Sequence, residues 1–115
     1  MRLMRERNSQ ILVPNLEVAN TLWTRNKGLL GRSSLALDAG MFFPRCNAVH
    51  TFFMKFAIDL VFLNRKMEVT KTLKSVPPGR IVFAMATHVV ELSGGFLEHH
   101  PLQVGEKLNV DSALS

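Results

Sequence analysis

The sequence predicts a mainly β or α+β fold: a compact single domain built as a β-barrel or a jelly-roll-like sandwich, with one short helix near residues 21–32. Three observations predict it. Short apolar runs, several alternating with polar residues, are separated by Gly, Pro and Asn signals along the whole chain, the mark of many short strands. Extended helical spacing is confined to one segment. At 115 residues and 47% hydrophobic composition, the chain can bury one core, and a second domain is not expected.

Taken in order, residues 1–8 read as a flexible basic arm, since an end without an apolar anchor is usually loosely ordered, and residues 9–115 as the globular domain. Ile11 to Val13 is a strand closed by a turn at Pro14 and Asn15, and Leu16 to Ala19 is a second strand with Glu17 facing outward. Asn20 or Thr21 caps the helix, in which Leu22, Arg25, Leu29 and Arg32 fall near helical spacing while Gly28 weakens the middle. Gly40 opens the run Met41, Phe42, Phe43, a buried strand bounded by Pro44. From Ile58 onward, alternation sets Ile58, Leu60 and Phe62 on one face and Asp59, Val61 and Leu63 on the other. Asn64 to Lys66 turns this strand into a hairpin with Met67 to Leu73. Val76, Pro77, Pro78 and Gly79 force a loop, because two backbone donors are missing and φ is fixed twice. Ile81 to Ala86 and Thr87 to Leu92 supply one or two further strands, Phe96 to His100 a single helical turn before Pro101, and Leu108 to Val110 the last strand.

The net charge of +5 and pI near 10 favour contact with nucleic acid, anionic lipid or an acidic partner, and say nothing of the fold. Nucleic acid is not expected: the basic residues are spread along the chain, Tyr is absent, and the phenylalanines sit in apolar runs such as MFF and HTFFMKF, which suit core packing better than base stacking. Cys46 is the lone cysteine, so no internal disulfide forms and a reducing compartment is compatible. The N-terminal MRLMRERNSQ lacks the apolar stretch of a signal peptide, and no run approaches the ~20 apolar residues of a membrane span. As given the chain reads as soluble and cytoplasmic, with an exported or periplasmic location expected instead if it is a mature form.

Two carboxylates stand where strand-forming aliphatics surround them: Asp59 in FAIDLVFL and Glu91 in HVVELSGG. A buried carboxylate without compensation costs several kcal/mol, so each should accept hydrogen bonds, pair with a cation or face a wet cleft. Arg25 and Arg32 are the proposed cations, because a guanidinium binds a carboxylate through two parallel bonds. The pairs then either fix the fold or line a polar cleft. His50 stands at the start of the apolar run and reads as a general acid or base or, more plainly, as a satisfied rim histidine. Cys46 lies four positions before it, but no oxyanion site is visible, and a buried structural cysteine is the simpler reading. His88 and Glu91 fall on opposite faces of a strand, and no paired-ligand signature accompanies His99 and His100, so neither a metal nor a cofactor is expected.

With RNKGLLGR, GMFF, HTFFMKFAIDLVFL, VVELSGG and VGEKL in this order, the chain resembles the DUF192 family, also called UPF0127. The resemblance runs from about Val18 to Val110. The family pattern falls on Arg25, Gly28, Leu29, Gly31, Arg32, Gly40, Met41, Phe53, Met54, Lys55, Asp59, Glu91, Gly94 or Gly95, and Gly105. This sequence departs from it at Leu30, where methionine is usual, at Phe56, where asparagine is usual, and at Asn64 and Glu106, where aspartate is common. The resemblance implies a compact β-rich, barrel-like or jelly-roll-like domain and no particular activity; many relatives look exported.

The functional expectation is therefore a small non-catalytic binding or accessory module. Its cleft would be formed by Arg25, Arg32, His50, Met54, Lys55, Asp59 and Glu91, and would take an anionic or polyhydroxyl ligand or the acidic segment of a partner. A small hydrolase-like enzyme using Asp59, Glu91 or His50 as acid or base is the first alternative. A pure interaction domain is the second; it would show an exposed apolar patch with no pocket beneath it.

Overall fold

The computed structural model describes residues 1–19 and 29–111. Among them are ten strands and one short helix: β1 (Arg2–Arg5), β2 (Ile11–Val13), β3 (Asn15–Val18), β4 (Ala39–Phe43), β5 (Ala48–His50), β6 (Ile58–Leu63), β7 (Val69–Val76), β8 (Ile81–Phe83), β9 (His88–Ser93), α1 (Phe96–His99) and β10 (Leu108–Asp111). They assemble into a five-stranded sheet in the order β3-β4-β9-β6-β7, a three-stranded sheet β10-β1-β2, and a two-stranded ribbon β5-β8. β3 and β4 are parallel and every other pair is antiparallel. None of the three sheets closes on itself through this pairing, so the architecture is mostly β in one compact domain without the expected barrel closure.

β6 lies inside the sheet, between β9 and β7, because its sequence can be buried on both faces. All six residues are buried, and the alternation holds as expected. Val61 and Leu63 enter a core with Leu3, Leu12, Val13 and Leu108 of the three-stranded sheet and with Phe96 and Leu97 of α1. Ile58, Leu60 and Phe62 enter a second core on the other side, with Met41, Phe43, Met54 and Val89, against which Val49 and Val82 of the ribbon and Ala84 and Ala86 just after it pack. Each fully buried Leu, Ile or Phe contributes about 1.5–3 kcal/mol, so a strand with a core on each face tolerates polar substitution poorly.

The polar turn after β6 is an Asx turn: Asn64 Oδ1 accepts from the backbone N–H groups of Lys66 and Glu68 at 2.9 and 3.0 Å. An aspartate would accept the same two bonds but could not give the one that Asn64 Nδ2 donates to Glu68 Oε1 at 2.9 Å. Gly40 is dictated by packing, since a Cβ there would stand 2.9 Å from the Leu92 side chain and 3.1 Å from the Glu91 carbonyl oxygen.

Two expectations change. Residues 2–5, expected in a flexible arm, form β1, paired on one side with β10 and on the other with β2. The anchor is Leu3, wholly buried, together with Arg5, which is buried and paired with Glu106. A single buried leucine and two ion pairs, Arg5–Glu106 and Arg2–Asp111, hold a terminus whose composition looks solvated. The helix expected near residues 21–32 falls mainly on residues 20–28, outside the described residues, and residues 29–31 form a turn. The helical turn expected before Pro101 is present as α1.

Candidate functional site

Asp59 is wholly buried, and its partners among the described residues are backbone amides. Oδ1 accepts from Ser75 N–H at 2.8 Å and from Gly95 N–H at 3.3 Å, and Oδ2 accepts from Leu97 N–H at 2.8 Å. Gly95 is the N-cap of α1 and has no side chain to cap with; it sits in the left-handed region at φ 93°. Asp59 therefore supplies from a distant strand the acceptor that an Asp or Ser at the cap would have supplied locally. It also favours the helix end electrostatically. The expected pairing with Arg32 is not formed: Arg32 instead bonds both carboxyl oxygens of Glu17 at 3.1 and 2.9 Å on the surface. Arg25 lies outside the described residues.

Glu91 is 4% exposed and lies on the other face of the sheet. In the β6–β9 register Asp59 stands opposite Leu92 and Leu60 opposite Glu91. Residues directly opposite share a face, so the two carboxyl groups point away from each other. Glu91 is also in register with Met41 of β4, which places it between Met41 and Leu60. No cation and no hydrogen-bond donor among the described residues reaches its carboxyl group. Burial pushes its pKa up to about 7.

The remaining candidates are scattered. Met54 is buried in the second core, while Lys55 is exposed beside it. Phe56, which replaces the usual asparagine, is half-buried against the same core and lines a hollow of about 450 Å3 with Ser34, Ser75 and Ser93. His50 ends β5 rather than opening the central strand, and stacks on Phe52 with ring centroids 5.8 Å apart. His88 accepts at Nδ1 from the Arg45 backbone N–H at 3.1 Å; burial, and then the Arg45 charge, hold its pKa below the usual value. No three His, Cys, Asp or Glu side chains among the described residues lie close enough to hold a metal ion. The expected single cleft is thus not formed by the described candidates, because strand alternation separates Asp59 from Glu91 and the ribbon carries His50 elsewhere.

Two features escaped the sequence reading. Thr51 is wholly buried and fastens the Pro77–Arg80 loop: its hydroxyl donates to Pro77 O at 2.7 Å and accepts from Arg80 N–H at 2.9 Å, and its backbone bonds Gly79 and Arg80. The second is the outward face of the ribbon. Ala48 pairs with Phe83, Val49 with Val82, and His50 with Ile81. Val49 and Val82 face the core, with Ala84 and Ala86 following the same alternation, while Ile81, Phe83 and Met85 stand 66%, 71% and 96% exposed. The large apolar residues point outward and the smaller ones inward. IVFAMA is apolar throughout, so a strand was legible there but not which of its residues face outward.

The chain belongs to the DUF192 family, whose pattern matches residues 3–110 and whose description is "Uncharacterized ACR". No curated protein matches it. Among solved structures it resembles a protein of unknown function from Novosphingobium aromaticivorans, with a TM-score of 0.83 and 21% identity over 96% of this chain and 84% of that one. It also resembles a protein from Sinorhizobium meliloti described as a "putative transcription regulator", with a TM-score of 0.79 and 21% identity over 94% of this chain and 89% of that one. At such identity these likenesses show a shared fold. This DUF192 protein keeps Asp59 and Glu91 in the environments described above, and no helix among its described residues is long and apolar enough to cross a membrane.

Proposed function

We propose that this DUF192 protein is a small non-catalytic binding module that engages its partner through the outward face of β5 and β8. One observation carries the reading: the ribbon presents Ile81, Phe83 and Met85 to solvent while burying smaller residues beneath them. Exposed apolar residues are unremarkable singly, but a contiguous set at strand spacing marks an interaction surface. Asp59 supports a structural role, since three backbone amides occupy it and no part of it reaches solvent. The test replaces Ile81, Phe83 and Met85 together by serine. Native protein should bind the anionic aromatic dye anilinonaphthalene sulfonate with enhanced fluorescence, and the triple variant should lose that binding while keeping its melting temperature. Equal dye binding by both proteins, or a melting temperature lowered as by a core substitution, would sink the reading.

A second reading, acid or base chemistry, is favoured by Glu91 alone, whose pKa near 7 suits proton transfer at neutral pH. It expects hydrolysis of an activated ester with a pH–rate limb near 7 that Glu91→Gln abolishes. An identical profile in the variant would remove Glu91 from consideration.

A further inference from the structure

Resting on the docking face just proposed, we infer that its partner is the anionic surface of a lipid bilayer. Phe53, Phe83 and Met85 would insert at the headgroup boundary while Lys55 and Arg80 meet the phosphates. Charge complementarity carries the choice. No aspartate or glutamate occurs between Phe43 and Ile58 or between Val76 and His88, the two stretches that build the ribbon and its flanking loops. The same stretches hold Arg45, Lys55 and Arg80, all exposed, and neither Lys55 nor Arg80 pairs with a carboxylate among the described residues. Apolar tips on stretches that carry charge of one sign suit an interfacial lipid contact, whose strength grows with buried apolar area and with attraction to anionic headgroups.

Shape favours lipid over a peptide. Phe53 and Met85 are 87% and 96% exposed and therefore protrude, and Phe53 is held at φ 65°, a conformation bulky residues seldom adopt. The hollow on this face, about 300 Å3 and lined by Ala48, Val49, His50, Phe52 and Ile81, is too small to seat a helix ~10 Å across. A bilayer asks for no complementary groove. Thr51 supplies the rigidity such a surface needs, by tying the Arg80 loop to the end of β5.

The experiment is sedimentation of the full chain with vesicles of phosphatidylglycerol in phosphatidylcholine, and with vesicles of phosphatidylcholine alone. Binding is expected on the anionic vesicles and should weaken with salt. Phe53→Ser should weaken it roughly tenfold or more. Lys55→Gln and Arg80→Gln should each weaken it about fivefold, the equivalent of ~1 kcal/mol per basic residue near an anionic surface. All three variants replace exposed residues, and their melting temperatures serve as the folding control. Dye binding without vesicle binding would overturn the lipid assignment and leave the docking face standing, whereas loss of both would overturn the face as well. Equal binding to neutral vesicles would overturn the role of charge. Tight binding of an acidic amphipathic peptide by protein that ignores vesicles would give the face to a protein partner instead.

Discussion

Asp59 and Glu91 stand on adjacent strands of one sheet, one step out of register, and the sheet treats them in opposite ways. Asp59 meets three backbone donors around the start of α1 and the end of β7, where an acceptor is needed. Glu91 meets Met41 and Leu60 in register and no donor among the described residues, so its environment favours the proton-bound form. Burial alone therefore does not fix what a carboxyl group does; the donors left over by the surrounding backbone decide it. One group joins helix to sheet, and the other is a site where protonation and stability are coupled.

Removing Asp59 should show the largest effect. Asp59→Ala leaves three amides without their acceptor, two of them at the start of α1, and should lower unfolding stability by about 4 kcal/mol in denaturant titration. A loss below ~1 kcal/mol would mean that α1 does not depend on it. Glu91 should show itself through pH. With a folded-state pKa near 7 against 4.5 for the free group, the folded protein holds more protons between those values, so stability falls as pH rises through this window and levels off above it. The span is about 3 kcal/mol, and Glu91→Gln should flatten that part of the profile. A profile unchanged by the substitution would erase the contrast.

Arg32→Ala should cost less than about 1 kcal/mol, because its partner Glu17 is exposed. A cost comparable to Asp59→Ala would restore the arginine as a partner of the buried acid. Smallest of all, Phe83→Ser should change stability by no more than about 0.5 kcal/mol. Val82→Ser, one residue away and facing the core, should cost clearly more.

Much of the fold was legible. Period-two alternation placed both faces of β6, the Pro77-Pro78-Gly79 break placed the loop, and Asn64 placed the hairpin turn, since each depends on a residue and its immediate neighbours. The site was less so. Asp59 and Glu91 were recognisable as anomalies, but pairing them with Arg32 chose a partner by charge, whereas Asp59 accepts from backbone amides that carry no sequence signature; Arg25 lies outside the described residues. β1 was misread for a related reason: Leu3 gains its value only when β2 and β10 flank it.

By itself the sequence determined the strand pattern, its turns and the presence of two carboxyl groups in apolar strands, because steric limits on φ and alternation along a strand are local. Only the tertiary structure decided which face each residue presents and what it meets there. Register across β6 and β9 sends Asp59 to the amides of α1 and Glu91 to the opposite core, and the seating of β5 and β8 turns Phe83 outward. A one-residue shift of β6 in that register would send Asp59 to the opposite face.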